Sequence, residues 1–312
     1  MKAIRFHEYG DIDVLRYEEA PTPRPGPGEV LVAVAATAFN PVDRWFRAGA
    51  MDEIMPVRLP HTLGLDLAGT VVDHGPGVEE PPIGTEVIAF LPMTGPGAGA
   101  QYVNAPAELL VLAPTTIPLS DAAAIPVPAL TAWQALFEHG NLVAGQRVLV
   151  NGAGGGVGGF VVQLAKRAGA NVIATASARS VRAVVAVGAD HIIDYTAATI
   201  TDTLDGPVDL AINLVAGTRD DTAGLLDVIE PGGTLVSVTD PGGEFPERAQ
   251  RVVFFSVRSD TTQLTQIVDL VDLVDLGRLQ LDISERRPLA DTAQVHQQSE
   301  DGALRGRTLL IP

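Results

Sequence analysis

The stretch VLVNGAGGGVGGFVVQLAKRAGANVIATASARSVR, residues 148–182, holds six glycines in eight consecutive positions. The apolar run before the glycines predicts a buried β-strand. A strand, a glycine turn and a helix in this order are the context that a dinucleotide-binding fingerprint requires. The helix is predicted because apolar residues after the turn recur at the spacing of one helix face: Val157, Phe160, Val161, Leu164, Ala165 and Ala168.

Glycines suit this turn because a backbone without Cβ atoms lets a pyrophosphate approach closely. The N-terminus of the following helix offers unpaired N–H groups and a positive dipole to the anion. A literal GxGxxG falls at residues 154, 156 and 159, although so glycine-rich a run allows other registers. We therefore predict that the turn binds a nicotinamide dinucleotide. The alternative is a tight glycine turn without a ligand.

The residues after the second strand indicate which dinucleotide is bound. Sites for NAD usually place Asp or Glu there, about 20 residues beyond the glycines, to bind the ribose 2′-hydroxyl. Here the strand ends at Ala176-Ser177, and Arg179 and Arg182 follow. A hydroxyl and a guanidinium suit a 2′-phosphate, because arginine makes charge-assisted and often bidentate bonds to it. We expect NADPH, with two solvated arginines as the alternative, and the pattern leaves open which arginine binds the phosphate.

The rest of the chain divides into two kinds of pattern. Most of the 23 prolines precede residue 129, and the short β-type runs between proline–glycine turns there predict a β-rich, barrel-like unit. Beyond residue 120, apolar runs alternate with helical patterns, which predicts a doubly wound parallel sheet. The tail adds an amphipathic helix over residues 261–280 and a last short strand. We predict an α/β protein with a substrate domain over residues 1–120, completed by 259–312, and a Rossmann domain over 121–258.

Composition excludes several classes of function. The 312 residues carry a formal net charge of −17 and only two lysines, Lys2 and Lys166, so the surface repels nucleic acid and anionic membranes. The absence of cysteine excludes disulfides, thiolate catalysis and cysteine-ligated zinc. No apolar run of about 18 residues is free of proline and charge, and the start MKAIRFHEYGD turns charged too early for a secretory signal. We expect a cytoplasmic protein.

Two dehydrogenase architectures are excluded by inspection. Short-chain dehydrogenases use a Tyr-x-x-x-Lys pair as the acid, and none of the four tyrosines here has such a lysine. Zinc alcohol dehydrogenases need cysteine and histidine ligands. Cysteine is absent, and the six histidines show no metal-ligand spacing, which favours ordinary surface or hydrogen-bonded roles for them.

The sequence resembles the zinc-free medium-chain dehydrogenases/reductases, the quinone oxidoreductase or zeta-crystallin-like family. The resemblance covers nearly the whole chain and implies a GroES-like barrel domain, a Rossmann domain and an active site in the cleft between them. It rests on the glycine stretch together with FNPVDRWFRAG (39–49), LPHTLGLDLAGTVVDHGPGV (59–78), IPVPALTAWQAL (125–136) and GADHIIDY (188–195).

The resemblance also implies which residues form the catalytic site. Zinc-containing relatives carry Cys at the position of Asn40 and Gly-His-Glu at the position of Gly64-Leu65-Asp66. Leucine cannot ligate metal, so a zinc-free site is implied. Asn40 and Trp45 are expected to line the substrate pocket, with Asn40 hydrogen-bonded to the substrate carbonyl, and Thr131 is expected near the nicotinamide. Trp45 replaces the family's more frequent tyrosine, which removes a phenolic proton donor.

Further roles are implied for neighbouring residues. Asp43 is expected to hold its loop through backbone hydrogen bonds. Phe39 and Phe46 are expected to face the core, as alternating residues of a β-rich segment would. Tyr195 is expected to help bind the 2′-phosphate. The full set of implied cofactor-binding residues is Ala153, Gly155, Gly156, Val157, Gly158, Ser177, Arg179, Tyr195, Val215 and Thr239.

The chemistry agrees with a site that lacks metal. Removing hydride from an alcohol needs zinc or a base, whereas adding hydride to a quinone or enone leaves a delocalised anion that solvent can protonate. We expect an NADPH-dependent, zinc-independent reductase of quinones or α,β-unsaturated carbonyl compounds. The alternatives are a reductase dedicated to one biosynthetic enone and a non-catalytic NADPH-binding redox sensor or crystallin-like protein.

The apolar run RVVFFSVR, residues 251–258, is predicted to end the parallel sheet. A bare apolar edge strand promotes aggregation unless it is paired. Edge strands of this kind often join across a two-fold axis in the family, so we expect a homodimer with Val253 and Phe255 at its interface.

Overall fold

The computed structural model describes residues 1–273 and 279–312, which form two compact units. One unit contains Met1–Val127 and Ser259–Pro312, and the other contains Pro128–Arg258. Residues 121–127, predicted to begin the second unit, belong to the first. The physical reason is that the Val127 N–H donates to the buried carboxylate of Asp66 (2.7 Å), which holds this segment to the first unit.

The elements of the described residues follow the predicted rhythm of short strands first and strand–helix alternation later. The strands are β1 (Lys2–Phe6), β2 (Arg16–Glu19), β3 (Glu29–Ala38), β4 (His61–Thr62), β5 (Asp66–His74), β6 (Glu86–Phe90), β7 (Tyr102–Pro106), β8 (Val111–Leu112), β9 (Arg147–Asn151), β10 (Asn171–Ala176), β11 (His191–Asp194), β12 (Val208–Asn213), β13 (Ile229–Ser237), β14 (Arg251–Phe254), β15 (Ile283–Pro288) and β16 (Arg307–Ile311). The helices are α1 (Pro41–Ala48), α2 (Leu119–Ala122), α3 (Pro126–Trp133, continued by a π-helical segment Gln134–His139), α4 (Gly156–Arg167), α5 (Val181–Ala186), α6 (Ile200–Thr203), α7 (Arg219–Asp227), α8 (Thr261–Asp272) and α9 (Thr292–Glu300).

The first unit is built on a seven-stranded sheet and a three-stranded sheet. The larger sheet has the order β15-β16-β3-β5-β6-β8, with β7 also paired to β3, and the smaller has the order β2-β1-β4. Strand β16 from the chain's end pairs antiparallel with β3, Leu309 opposite Ala38. The C-terminal segment is therefore part of the first unit. Its core is formed by inward-facing Val, Leu and Ala side chains of β3, β5, β6 and β7.

The second unit is a parallel six-stranded sheet of order β11-β10-β9-β12-β13-β14. Its central strands β9, β10 and β12 are rich in buried Val, Ile, Leu and Ala, as expected where helices cover both faces. Counted within the unit, the order is that of a dinucleotide-binding sheet, with the topological switch between β9 and β12. The predicted parallel, doubly wound sheet is confirmed.

Helix α4 packs on β9 and β10 as its periodicity predicts. Phe160, Val161, Leu164 and Ala165 are buried, whereas Val157 and Ala168 at the two ends of the predicted face are half-buried. Val162 and Gln163 are buried as well, so the covered face is wider than the apolar stripe.

The segment after β3 is a helix and not the β-rich segment that was expected. Pro41 occupies the first turn of α1, Asn40 is its N-cap and Gly49 ends it in the left-handed conformation (φ 77°). Phe39 and Phe46 are buried, as predicted, but Phe46 is buried by the inner face of this helix.

Two predictions concern the end of the chain. The amphipathic helix predicted over residues 261–280 is observed as α8, which is shorter: it ends at Asp272 because Leu273 is extended (φ −64°, ψ 101°), and Leu279 and Gln280 are not helical. The part of the prediction that covers residues 274–278 lies outside the described residues. Within the part of the chain that is described, no helix is both long and apolar enough to cross a membrane.

Candidate active site

The predicted cofactor residues lie around the carboxyl edge of the parallel sheet. Asn151, the last residue of β9, is in register with Asn213, the last residue of β12. These two strands flank the topological switch, where parallel α/β sheets bind ligands. The candidate cofactor site is therefore at this edge.

The glycine turn connects β9 to α4. Gly155 is the N-cap of α4 (φ −89°, ψ 174°), so the first N–H groups of the helix are presented at the turn. A Cβ on Gly154 would lie 2.5 Å from the Ser180 side chain, and one on Gly158 would lie 2.5 Å from Ala153 Cα. A Cβ on Gly155 would meet only the Gly152 carbonyl oxygen, at 3.5 Å. Two of these glycines are needed for close packing, and the third leaves open space at the helix terminus.

The space around the glycines decides the register of the fingerprint. The third glycine of the motif is the one that lets helix and strand pack closely. Gly158 meets that condition, whereas a Cβ on Gly159 would have no atom within 4 Å. The contacts therefore favour a motif over Ala153, Gly155 and Gly158, with the literal match at 154, 156 and 159 as the alternative.

Two strand ends form the predicted 2′-phosphate corner. Ser177 follows β10 and Tyr195 follows β11, and the last residues of these strands, Ala176 and Asp194, are in register. Ser177 is half-buried, and both Arg179 and Tyr195 are exposed. The sheet thus brings the ends carrying the three predicted phosphate ligands to one corner.

A carboxylate at the same corner is bound within its own turn. Asp194 accepts hydrogen bonds from the backbone N–H (2.9 Å) and the hydroxyl (2.6 Å) of Thr196. These bonds lower its pKa. Arg182 lies in the first turn of α5 and is exposed.

Val215 and Thr239, the remaining predicted cofactor residues, follow β12 and β13. The Thr239 hydroxyl donates to the Val215 carbonyl oxygen (3.1 Å). A Cβ on Gly152 would lie 2.8 Å from Val215 Cγ2, and Gly152 has a left-handed φ of 95°. Val215 therefore lies directly against the start of the glycine turn.

Asn40, in the first unit, is committed to a buried network. It is only 4 % exposed. Its Nδ2 donates to Asp66 Oδ2 (2.8 Å) and to the Ala38 carbonyl oxygen (3.3 Å), and its Oδ1 accepts from Arg307 Nη1 (3.0 Å). Both amide hydrogens are used, so none remains to bind a substrate carbonyl. In this geometry Asn40 positions α1, which differs from the direct substrate contact that was expected.

Asp66 and Arg307 form a buried ion pair that the sequence analysis missed. Arg307 Nη2 donates to Asp66 Oδ2, and Asp66 Oδ1 accepts from the Val127 N–H (2.7 Å). Burial raises the pKa of Asp66, and the guanidinium of Arg307 opposes that shift. In the sequence, Asp66 stands out only because it replaces a glutamate of the zinc-binding pattern. No local signal identifies Arg307, because it comes from the last strand of the chain.

The residues at the positions where zinc-containing relatives are expected to carry metal ligands do not fit zinc. Leu65 has no donor atom, the Asn40 amide is fully bonded, and both Asp66 oxygens already accept hydrogen bonds. Across residues 1–273 and 279–312, no cluster of three His, Cys, Asp or Glu side chains could hold a metal ion.

Asp43 holds its loop as predicted. Its Oδ2 accepts from the Asn40 N–H (2.8 Å), which completes a capping box at the start of α1. Burial raises the pKa of Asp43 to about 7, opposed by the bond from Asn40 and reinforced by the charge of Asp66.

Trp45 and Thr131, the other expected catalytic-site residues, belong to different units. Trp45 lies on α1 and is 42 % exposed, so its ring is available to a planar ligand. Thr131 lies on α3 and is buried. The predicted role of Thr131 near the nicotinamide stays a prediction.

Comparison with known proteins identifies the family. The alcohol dehydrogenase GroES-like domain matches residues 26–115, and a domain described as zinc-binding dehydrogenase matches residues 187–310. The chain is 32 % identical over 247 residues to the quinone oxidoreductase of Mus musculus, a match that covers 76 % of this chain and 73 % of the mouse protein. The chain belongs to the quinone oxidoreductase family. The predicted family, a branch of the medium-chain dehydrogenases/reductases, is confirmed.

Other members of the family are similar over different lengths. The NADPH-dependent alkenal/one oxidoreductase of Arabidopsis thaliana is 36 % identical over 78 % of this chain and 65 % of its own length. The chain spans 61 % of the quinone-oxidoreductase homolog of Spinacia oleracea, to which it is 37 % identical over 62 % of its own length.

Solved structures of the family share the fold of the whole chain. The quinone oxidoreductase of Coxiella burnetii superposes with a TM-score of 0.90 at 29 % identity and covers 100 % of this chain and 99 % of its own. The Escherichia coli quinone oxidoreductase, complexed with NADPH, gives a TM-score of 0.86 at 25 % identity, with 100 % of both chains covered. The predicted GroES-like and Rossmann fold class is confirmed.

Proposed function

We propose that this chain is an NADPH-dependent reductase that transfers a hydride to quinones or α,β-unsaturated carbonyl compounds and needs no zinc. The observation that carries the proposal is the glycine turn. Gly154 and Gly158 have no room for a Cβ, while Gly155 faces open space at the N-terminus of α4. This arrangement suits a pyrophosphate. The names of the mouse and Arabidopsis relatives, a quinone oxidoreductase and an alkenal/one oxidoreductase, support the substrate class.

The cofactor would be held by three groups of residues. The glycine turn, with Ala153, Gly155, Gly156, Val157 and Gly158, would bind the pyrophosphate through backbone N–H groups. Ser177, Arg179 and Tyr195 would bind the 2′-phosphate, and Val215 and Thr239 would border the nicotinamide. When bound, NADPH supplies the hydride. The chain's own residues orient the two reactants, which is the main requirement for a conjugated acceptor.

Independence from zinc is supported by the buried pair of Asp66 and Arg307. These side chains, with Asn40, fill the region where zinc-containing relatives carry metal ligands, and their polar atoms already have partners. Reduction of a quinone or enone leaves a delocalised anion that solvent can protonate. Neither a Lewis acid nor a strong protein acid is then required.

Trp45 is the residue of α1 that we propose to contact substrate. Its ring is partly exposed, and a planar quinone or enone can pack on it. Asn40 and Thr131 are proposed to act by positioning α1 and by bordering the nicotinamide, respectively. Trp45→Ala is expected to raise KM for bulky quinones about tenfold through lost apolar contact, with kcat little changed. A normal KM for every acceptor would contradict this assignment.

The function is tested by NADPH oxidation against a panel of acceptors. We expect turnover with 9,10-phenanthrenequinone and with simple enones, faster with NADPH than with NADH. Dialysis against a chelator should leave the rate unchanged, and elemental analysis should find no stoichiometric zinc. Equal use of the two cofactors, or a bound zinc needed for turnover, would contradict the corresponding part of the proposal.

The same panel separates the alternatives. A dedicated enone reductase, which the name of the Arabidopsis relative favours, would reduce enones and leave quinones unreduced. A non-catalytic sensor or crystallin-like protein would bind NADPH but would not oxidise it, whichever acceptor is added.

A further inference from the structure

We propose that four polar side chains at the carboxyl edge of the parallel sheet position the backbone on which the cofactor binds. They are Thr175 of β10, Asn151 of β9, Asn213 of β12 and Ser237 of β13, called here the edge network. Each is the last or next-to-last residue of its strand. The inference rests on the proposed cofactor site and assigns these four as positioning residues within it.

One half of the edge network holds the glycine turn. The Gly152 N–H donates to the Thr175 hydroxyl oxygen (2.9 Å), and that hydroxyl donates to Asn151 Oδ1 (3.1 Å). The turn begins at Gly152, whose carbonyl oxygen accepts from the Gly155 N–H (3.2 Å). Thr175 therefore sets the direction in which the backbone enters the turn.

The other half holds the segments after β12 and β13. Asn151 Nδ2 donates to Asn213 Oδ1 (2.9 Å). Asn213 Nδ2 then donates to the Val215 carbonyl oxygen (3.1 Å) and to Ser237 Oγ (3.2 Å), and the Ser237 hydroxyl donates to the Thr239 carbonyl oxygen (2.7 Å). Val215 is thus held by Asn213, and Thr239 is held by Ser237, which Asn213 in turn contacts.

Donation runs in one direction along the network, from Thr175 to Ser237. Chains of this kind strengthen each hydrogen bond, and burial makes a missing bond costly. Thr175, Asn213 and Ser237 are all buried. The two backbone segments that the network holds, at Gly152 and at Val215, also contact each other, because a Cβ on Gly152 would clash with Val215 Cγ2. The network therefore sets the spacing between the glycine turn and the Val215 segment.

Polar side chains are not required by the sheet at this position. The preceding layer in the same strands is apolar and fully buried: Ala174, Val150, Ile212 and Val236. Polarity begins at the layer that borders the candidate site, which points to a role in binding.

The test uses near-isosteric variants of the full chain. Thr175→Val removes the hydroxyl and keeps the shape, Thr175→Ser keeps the hydroxyl, and Asn213→Asp removes the amide donor. Thr222→Val is the matched control, because Thr222 is a buried threonine of the same unit whose hydroxyl bonds within its own helix. The dissociation constants of NADPH and NADH are measured by fluorescence titration, and the melting temperature is measured without cofactor.

We expect Thr175→Val and Asn213→Asp to weaken both cofactors about tenfold, the effect of losing one hydrogen bond of about 1.4 kcal/mol. The ratio of NADPH to NADH affinity should stay constant, because the hydrogen bonds of the edge network run from Thr175 toward β9, β12 and β13, whereas the 2′-phosphate corner lies at the ends of β10 and β11. Thr175→Ser should restore binding, and Thr222→Val should leave it unchanged. A purely structural role would lower the melting temperature and leave affinity intact.

Three results overturn the inference alone. The first is normal affinity in Thr175→Val and Asn213→Asp, and the second is an equal loss in Thr175→Ser and Thr175→Val. The third is a change in the cofactor ratio, since it would assign the network to the phosphate corner. Failure of the unmodified chain to bind either cofactor would contradict the proposed function itself, and this inference with it.

Discussion

Arg179 and Arg182 are two exposed guanidinium groups beside the end of β10, and they differ in position. Arg179 lies in the turn two residues beyond Ser177, whereas Arg182 lies in the first turn of α5. We expect Arg179→Ala to raise the dissociation constant of NADPH about tenfold, because a charge-assisted bond to the 2′-phosphate is lost. Binding of NADH, which has no such phosphate, should be little changed.

Arg182→Ala is the matched control for that variant, since it removes the same charge nearby. Fluorescence titration of both variants with both cofactors measures the effect. A larger loss in Arg182→Ala would assign the phosphate to Arg182. Normal NADPH binding in both would show that this corner does not bind the 2′-phosphate.

At the scale of elements, the packing of α4 on β9 depends on Gly158 and not on its neighbour Gly159. A Cβ on Gly158 would meet Ala153 Cα at 2.5 Å, whereas one on Gly159 meets nothing within 4 Å. Gly158→Ala is expected to lower the free energy of unfolding by about 1–3 kcal/mol through overpacking. Gly159→Ala is expected to stabilise by about 0.5–1 kcal/mol, because alanine favours the helix.

Urea unfolding of the two alanine variants measures this difference. The pair is matched in chemistry and adjacent in sequence, so the sign of the difference reports the register of the motif. Equal stability of the two variants would contradict Gly158 as the close-packing glycine.

The edge strand β14 carries the expected apolar surface, but the exposed aromatic residue is Phe254 and not the expected Phe255. Phe255 is 8 % exposed and stacks on His139 with ring centroids 4.3 Å apart, whereas Phe254 is 55 % exposed. Phe255 is therefore corrected from an interface residue to a core residue. We propose that β14 pairs with a second copy of this chain through Phe254.

Phe254→Asp is expected to convert a dimer into a monomer, because a carboxylate cannot be buried there unpaired. Sedimentation velocity measures the change. Val143→Asp, at another exposed apolar residue of the same unit, is the control and should leave the profile unchanged. A dimer that persists in Phe254→Asp would exclude this strand as the interface.

For the whole molecule, the pH dependence of stability follows from four buried groups of the first unit. Burial lowers the pKa of His61 to about 4, and burial with the charges of Arg47 and Arg44 lowers that of His296 to about 3. Both histidines stay neutral in the fold, so their contribution to stability falls as pH drops below about 6.5, their ordinary pKa. Asp43, with its pKa raised to about 7, acts in the opposite sense, because the folded protein holds its proton up to that pH. Burial also raises the pKa of Asp66, which therefore acts in the same sense as Asp43.

The two histidines and the two aspartates oppose each other, so the change caused by removing one group is the quantity to measure. Asp43→Asn removes one opposing group and keeps an acceptor for the Asn40 N–H. Between about pH 4 and 6.5, the slope of the free energy of unfolding against pH should then become more positive by about 1.4 kcal/mol per pH unit. Urea unfolding over a pH series measures it, with the exposed Asp13→Asn as control. An unchanged slope in Asp43→Asn would contradict a raised pKa for Asp43.

Local pattern was enough to predict the parallel sheet and the turn that starts α4. Each of these depends on the order of apolar and polar residues over short stretches, where periodicity reflects one face of an element. The capping role of Asp43 was predictable for the same reason, because its partner is only three residues away.

Tertiary contacts decided what sequence order could not. The glycine that packs α4 on its strand is identified by the atoms that surround it, namely those of Ala153 and Gly152. The positioning role proposed for Asn40, in place of the expected substrate contact, follows because its amide hydrogens are used by Asp66, on β5, and by the Ala38 carbonyl oxygen. The edge network likewise joins four strands that are neighbours only in the folded sheet.

The sequence by itself therefore determined the strand–helix alternation of the second unit and the kind of cofactor to expect, because these follow from local periodicity and from which residue types are present, and its motifs carried the resemblance to the family. Only the tertiary structure decided which side chains are already bonded and which are available, as at Phe254 and Phe255. Hydrogen-bond partners and burial are set by contacts between distant segments, and no pattern within one segment contains them.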